Sequence, residues 1–255
     1  MERFLYRYIS FEAFVGMIQK KALTLVLPET WDDPKECTPF YYLLEHQENI
    51  YARIALLAVY NKTYGQCWTE LSESDAMWRI YSFNNRTIQI KSLEDKLKQL
   101  PDVRVVPVEY SDKIDFGNLN GVEAFLKALA IKRCAFSHEK EVRIIRHYKF
   151  SDEDDLQQHI KAYLATNKHP QMLEIIDSMY PGLSLEEKVD RIAQLLNDGN
   201  AKRTTLDVSF ENIPDFIAGV KVHPLAPEWY VNVVEEYCRR NNVPFDGKST
   251  LYQKE

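Results

Sequence analysis

The segment Phe136–Ile145, FSHEKEVRII, sets two carboxylates and a guanidinium at alternate positions. On a strand, Glu139, Glu141 and Arg143 share one face, with neighbours about 7 Å apart. Such a trio can do acid/base work or stabilise a developing cation. Alternating charge is also what a solvated strand face looks like, and exposed pairs contribute little. Periodicity by itself favours that plainer reading, with Val142 and Ile144 turned the other way, toward a core.

A second chemical signal lies in FLYRYIS, Phe4–Ser10. As a strand it points Leu5, Arg7 and Ile9 to one face and Phe4, Tyr6, Tyr8 and Ser10 to the other. Both faces are largely apolar, so the strand reads as central and covered on both sides. A guanidinium between Leu5 and Ile9 is then partly buried and requires an anion, either a protein carboxylate or a bound phosphate.

Two further segments carry polar groups at useful spacing. In LSESDAMWRIYS, Leu71–Ser82, helical geometry puts Ser74, Trp78 and Tyr81 on one face and sends Met77 and Ile80 toward the core. A hydroxyl with two aromatics suits stacking a planar ring and bonding its ribose; the plainer reading makes Trp78 and Tyr81 core aromatics. In WDDPKE, Asp32, Asp33 and Glu36 could hold Mg²⁺, and with Glu139 and Glu141 they allow a metal-dependent nuclease as an alternative. Asp-Pro more commonly punctuates a turn, which is the favoured reading, with one carboxylate left to meet Arg7.

Composition removes several classes. Only eight of the 255 residues are glycine, and they form neither G-x-G-x-x-G nor G-x-x-x-x-G-K-[ST]. A nucleotide must then be gripped by side chains and ordinary loop amides. The net charge of −6 argues against a broadly basic nucleic-acid-coating surface. The four cysteines form no C-x-x-C pair and read as reduced thiols. The histidines show no H-E-x-x-H, and G-x-S-x-G is absent, so no metal site and no α/β-hydrolase are expected. MERFLYRYIS has charges within its first seven residues and is not expected to be a signal peptide. The longest apolar run, Ile54–Tyr60, falls far short of the roughly 20 residues of a membrane span. A cytoplasmic protein without membrane partners is expected.

The elements that must position these groups follow from pattern. Strands are expected at 4–10, 23–27, 66–69, 87–90, 103–110 (an edge or bulge, because of Pro107), 141–148, 204–210 and 217–223. Helices are expected after Ser10, at 38–62, 72–83 (capped by Ser72 or Ser74), 121–131 and 227–240. Strands interleave irregularly with helices, which favours an α+β arrangement with a mixed sheet. Composition shifts after Phe150, where Leu156, Ile160 and Leu164, then Val189, Ile192 and Leu196, recur at helical spacing. The expected organisation is an α+β core of residues 1–149 plus 204–255, with a helical insertion or subdomain at 150–203.

Taken in order, FLYRYIS, LPETWDDPKE, QCWTELSESDAMWRIYS, KRCAFSHEKEVRII and the closing FIAGVKVHPLAPEW with STLY resemble a large bacterial family described as a domain of unknown function. The resemblance covers about residues 4–148 and 204–252; Phe136 stands where that pattern expects tryptophan. More distantly, the order of an arginine strand, a serine–tyrosine segment and an E-x-E strand is similar to ADP-ribosyltransferases of the Arg-Ser-Glu type. That likeness implies a split sheet flanked by helices and NAD as substrate. Arg7, with Tyr8 beside it, would contact NAD, and Arg7 or Arg143 would clamp the pyrophosphate. Ser72 or Ser74 would hold the nicotinamide ribose; no Ser-Thr-Ser triplet is present, so the choice between them is open. Trp78 or Tyr81 would stack on nicotinamide. Glu141 would bond the ribose and stabilise the cation, and Glu139 would position or deprotonate the acceptor. The implied activity is that of an NAD-dependent ADP-ribosyltransferase or NAD glycohydrolase, acting as a toxin, defence effector or modifying enzyme. Its acceptor would be protein or nucleic acid, and an antitoxin or other partner protein could accompany it. A non-catalytic binding module, with Arg7 and the glutamates as an internal ion network, is the third alternative.

Overall fold

The first strand, β1 (Phe4–Ser10), forms because its residues are apolar on both faces, and it is central as expected. Ser10 ends it and caps the next helix, its Oγ accepting from Ala13 N at 3.1 Å. That helix, α1 (Phe11–Lys20), buries Phe14, Met17 and Ile18 and stops at Lys21, which takes the left-handed conformation (φ 50°). The computed structural model describes residues 2–46, 60, 63–82, 84–117, 119, 121–146, 182 and 204–253. The helical insertion expected at 150–203 lies outside the described residues apart from Gly182.

From there the chain gives β2 (Ala22–Val26), 3-10 turns at Pro28–Thr30 and Pro34–Cys37, and α2 (Thr38–Glu45). The expected helix over 38–62 is therefore described only in its first part. Next come β3 (Tyr64–Thr69), α3 (Asp75–Ile80), β4 (Thr87–Leu93), α4 (Glu94–Lys98), β5 (Val103–Pro107) and β6 (Glu109–Tyr110). Then follow α5 (Gly121–Ala128), β7 (Ile131–Lys132), a 3-10 turn at Cys134–Glu139 and β8 (Glu141–Arg146). The chain resumes with β9 (Thr205–Ser209), α6 (Ile213–Phe216), β10 (Gly219–Val222), α7 (Glu228–Arg240) and β11 (Phe245–Lys248).

Nine of these strands make one mixed sheet, so the α+β expectation holds. Its path is β11-β10-β4-β1-β3-β2-β9, with β8 also on β3 and β5 beyond β8. Only β10 and β11 pair in parallel within it. As Pro107 implied, β5 is an edge strand among the described residues, pairing there on one side only, with β8. A separate parallel pair joins β6 to β7.

The sheet opens at β3. One edge of β3 pairs with β8 from Tyr64↔Arg146 to Thr69↔Glu141. The other edge meets β1 at Tyr6↔Thr69 and β2 at Val26↔Gly65. Between those two bridges Gln66, Cys67 and Trp68 have no strand partner on that edge among the described residues, so β1 and β2 diverge across the middle of β3. This gap is where the polar groups gather.

Two cores hold the frame. The larger packs Leu5, Ile9, Phe14, Ile88, Ile90, Val142, Ile144, Val220 and Val234. The second packs Phe40, Leu43, Leu44, Phe125, Leu129 and Ile145. Strand β8 thus sends alternate residues into different cores, which covers both its faces. Each fully buried aliphatic side chain contributes about 1.5–3 kcal/mol of apolar transfer. Among the described residues no helix is long and apolar enough to cross a membrane.

Candidate functional site

Where β1 and β2 part, a cleft of about 320 Å³ opens over β3. Arg7 and Tyr8 of β1, Cys67 of β3, Trp31 between the two 3-10 turns, Glu36 of the second turn, Tyr81 after α3, and Lys132, Glu139 and Glu141 all line it. The sequence candidates Arg7, Tyr8, Tyr81, Glu139 and Glu141 are therefore brought together from three separated segments. Ser72, Ser74, Trp78 and Arg143 are not among the lining residues.

The carboxylate side of the cleft is a buried ion cluster. Lys132 Nζ lies 2.7 Å from Glu139 Oε2, 2.9 Å from Glu141 Oε2 and 3.2 Å from Glu36 Oε1. Arg143 Nε donates to Glu141 Oε1 at 2.8 Å, its Nη1 donates to the Leu129 carbonyl at 2.7 Å, and its Nη2 pairs with Glu36. Three carboxylates thus face two cations, and every one of the five residues is buried. The solvated-face reading of Glu139, Glu141 and Arg143 is overturned. Nor do the three lie on one strand. Glu139 closes the 3-10 turn, and β8 begins at Glu141. Between them Lys140 adopts the left-handed conformation (φ 44°), a costly one for a residue with a β-carbon. That reversal turns both glutamates onto one ammonium. Thr69 Oγ1 donates to the Glu139 carbonyl at 2.5 Å, and Glu70 N to the Lys140 carbonyl at 3.0 Å, fixing the turn to β3.

The charges follow from this packing. For Glu141, burial disfavours ionisation, but Arg143 and Lys132 outweigh it and bring its pKa down to about 2. For Glu36, burial prevails over the same two cations and its pKa is raised. Burial also works against the charge of Lys132 and Arg143, yet the carboxylates hold both more firmly protonated than usual. Burial, then Glu141, pushes the Cys67 thiol well up, so it is a poor nucleophile.

Arg143 was expected as a pyrophosphate clamp. It is instead fully buried behind the carboxylates, with its guanidinium 4.2 Å from the centroid of the Trp31 ring. The Trp31 Nε1 is itself buried without a hydrogen-bond partner. The carboxylate of WDDPKE expected to meet Arg7 is not found there, for Asp33 and Glu36 have other partners. Asp33 caps the Pro34–Cys37 turn through Lys35 N at 3.1 Å and pairs with Arg133 at 2.9 Å. The turn reading of WDDPKE therefore holds. Glu36 is drawn away from Arg7 to Lys132 and Arg143. As for Mg²⁺, Glu36, Glu139 and Glu141 do converge, but on the Lys132 ammonium, and the described residues contain no metal-binding group of His, Cys, Asp and Glu.

Arg7 stands apart. It is half-buried, and among the described residues no hydrogen bond or ion pair reaches its guanidinium. Burial lowers its pKa to about 10, with Cys67 and Tyr81 as the nearby groups that oppose the shift. It remains charged at neutral pH and faces the cleft.

The aromatic wall differs from expectation in part. Ser74 is the cap of α3, its Oγ accepting from Met77 N at 3.3 Å, and the Ser72 carbonyl accepts from Gln89 Nε2 at 3.1 Å. Trp78 is a core residue, packed edge-on to Tyr8 at 4.7 Å and donating its Nε1–H to Glu73 Oε2 at 3.0 Å. Ile80, expected inside, is 56% exposed, because α3 ends there. Tyr81 is 40% exposed and stacks with Tyr8 at 6.3 Å. The Tyr8 hydroxyl accepts from Gln89 Nε2 at 2.8 Å, which fixes that ring.

Sequence reasoning missed Lys132 and the role of Trp31. The one available signal for Lys132 was its place directly after the apolar run Ala128–Ile131, beside the E-x-E segment. No family model, no curated protein and no solved structure matches the chain.

Proposed function

We propose that the chain is an NAD-consuming ADP-ribosyltransferase or NAD glycohydrolase working in this cleft. The observation that carries the reading is Arg7. A guanidinium without an ionic partner among the described residues lines the same cleft as two stacked tyrosines and the carboxylates Glu139 and Glu141. A half-buried cation in that state is a receptor for an anion, and a phosphate of a dinucleotide supplies one. The cleft volume lies at the low end for small-molecule sites, enough for the nicotinamide-ribose end of NAD, with the remainder toward the mouth.

The reaction breaks the bond between the nicotinamide nitrogen and the ribose carbon. Nicotinamide leaves with the bonding electrons, and the ribose carbon becomes cation-like. Oxygen of water, or of a protein or nucleic-acid acceptor, then bonds to that carbon and gives up its proton. The ion cluster, with three carboxylates to two cations, favours positive charge beside it without reorganisation. Glu141 is fixed by two cations and suits the electrostatic role. Glu139 is held, among the described residues, by Lys132 alone and suits the proton-accepting one. Tyr81 and Tyr8 offer the aromatic face. An enzyme that consumes NAD fits a toxin or defence effector restrained by a partner protein.

The test is release of nicotinamide from NAD, followed chromatographically, with water, protein or nucleic acid as acceptor. Release is expected, and Glu139→Gln should lower it strongly. Absence of release with every acceptor overturns the reading. A binding module is the second reading, favoured by one observation: Lys132 and Arg143 already neutralise most of the carboxylates' charge. It expects Glu139→Gln and Glu141→Gln to lower stability with no separable activity to lose.

A further inference from the structure

We infer that Lys132 is the positioning residue of the glutamate pair: its ammonium sets how many of the three buried carboxylates stay ionised, and with that the charge the cleft presents to a cationic reaction centre. The reaction invoked rests on the transferase reading; the charge count rests on geometry.

The geometry is specific about which carboxylate depends on Lys132. Arg143 reaches Glu141 through Nε and Glu36 through Nη2, but it makes no contact with Glu139. The Glu139 side chain has Lys132 as its one ionic partner among the described residues, at 2.7 Å. The other groups facing the cluster do not replace it. Cys67 of β3 is a half-buried thiol held in its neutral form. The Tyr110 hydroxyl of β6 accepts from Glu141 N at 2.7 Å. Tyr81 lies near Glu139 and Lys132 as an uncharged phenol. Asp33 is engaged by Arg133, and Arg133 itself lies over Phe136 at 5.1 Å. The Phe136 ring also covers Lys132, at 4.8 Å from its centroid.

Present together, Lys132 and Arg143 leave the three carboxylates with a formal excess of one negative charge. In Lys132→Met, three buried carboxylates would face Arg143 alone. Burying that additional uncompensated charge is costly, and the response is uptake of a proton by the carboxylate with no cation, Glu139. Glu139 could then no longer accept a proton, and the field at the ribose carbon would change.

The experiment compares wild type and Lys132→Met as full-length chains, with nicotinamide release from NAD measured from acid to alkaline pH. The variant should lose about tenfold or more in kcat at neutral pH, the loss expected when the carboxylate titrates about one unit or more above the assay pH, and regain activity as the pH rises. Its KM for NAD should stay within about threefold, because Arg7 lies on another strand. Loss by the same factor at every pH, or a wild-type profile, overturns the inference. A second readout needs no activity. Carbon NMR of glutamate-labelled protein should show one more protonated carboxyl in Lys132→Met than in wild type at neutral pH. An unchanged carboxyl count overturns the inference. That extra proton, in a protein whose wild type releases no nicotinamide, would uphold the charge assignment and reject the transferase reading.

Discussion

Arg7 and Glu141 line one cleft from the two strands that flank β3, yet Arg7 has no ionic partner among the described residues while Glu141 has two. The asymmetry separates a cation available to a ligand from a carboxylate built into the frame. It also decides what substitution at each position should do.

Arg7→Met should leave stability unchanged or slightly raised, because it strands no carboxylate and removes a half-buried charge. NAD affinity should fall by roughly ten- to a hundredfold, the equivalent of one lost charge-assisted contact. Urea denaturation and titration calorimetry measure the two quantities on the same preparation. Since burial lowers the Arg7 pKa only to about 10, wild-type affinity should hold through neutral pH and weaken as the pH approaches that value.

Gly65 is the place where β3 lets Trp31 in. A β-carbon there would come within 2.7 Å of Trp31 Cζ2, and the ring cannot easily retreat because the Arg143 guanidinium lies over it. Gly65→Ala should therefore cost about 1–3 kcal/mol, as overpacked sites do. A shift in tryptophan fluorescence should accompany the lowered urea midpoint; an unchanged spectrum with unchanged stability would mean that the ring moves freely.

The frame was readable where the signal is local. β1 announces itself by apolar residues on both faces and by a capping serine at its end, and Pro107 marks an edge strand in any context. The site was readable only in outline. Glu139, Glu141 and Arg143 look like a solvated face because periodicity reports alternation and not what lies opposite. What lies opposite is Lys132, from a two-residue strand, and Glu36, from a turn about a hundred positions earlier. No local pattern encodes such pairings. Trp78 has helical spacing from Ser74, but α3 is six residues long and turns that ring into the core, leaving Tyr81 beyond its end as the cleft aromatic.

Ser74 offers a direct test of that distinction. As the cap of α3 it should cost about 1 kcal/mol when changed to alanine, the usual value for a lost N-cap. Nicotinamide release should keep its KM for NAD. A raised KM at unchanged stability would instead mark Ser74 as a ribose contact.

Acid should dissect the ion cluster in a defined order. The Glu141 pKa is depressed from 4.5 to about 2, so its ionised form stabilises the fold above 4.5, and that stability is lost as the pH falls from 4.5 toward about 2. Glu36 is displaced the other way. Burial raises its pKa against Arg143 and Lys132, so its ionised form costs stability at neutral pH. Removing Glu36 also leaves two carboxylates to two cations, whereas removing Glu141 takes away the carboxylate that Lys132 and Arg143 share most closely. Glu141→Gln should then cost about 3–5 kcal/mol at neutral pH, the range for breaking a buried pair from one side. Glu36→Gln should cost clearly less. The difference between the two variants in urea unfolding should narrow as the pH is lowered below 4.5, because wild-type Glu141 is itself losing its charge. Equal costs at neutral pH, or a gap that persists into acid, would show that Lys132 and Arg143 do not distinguish the two carboxylates.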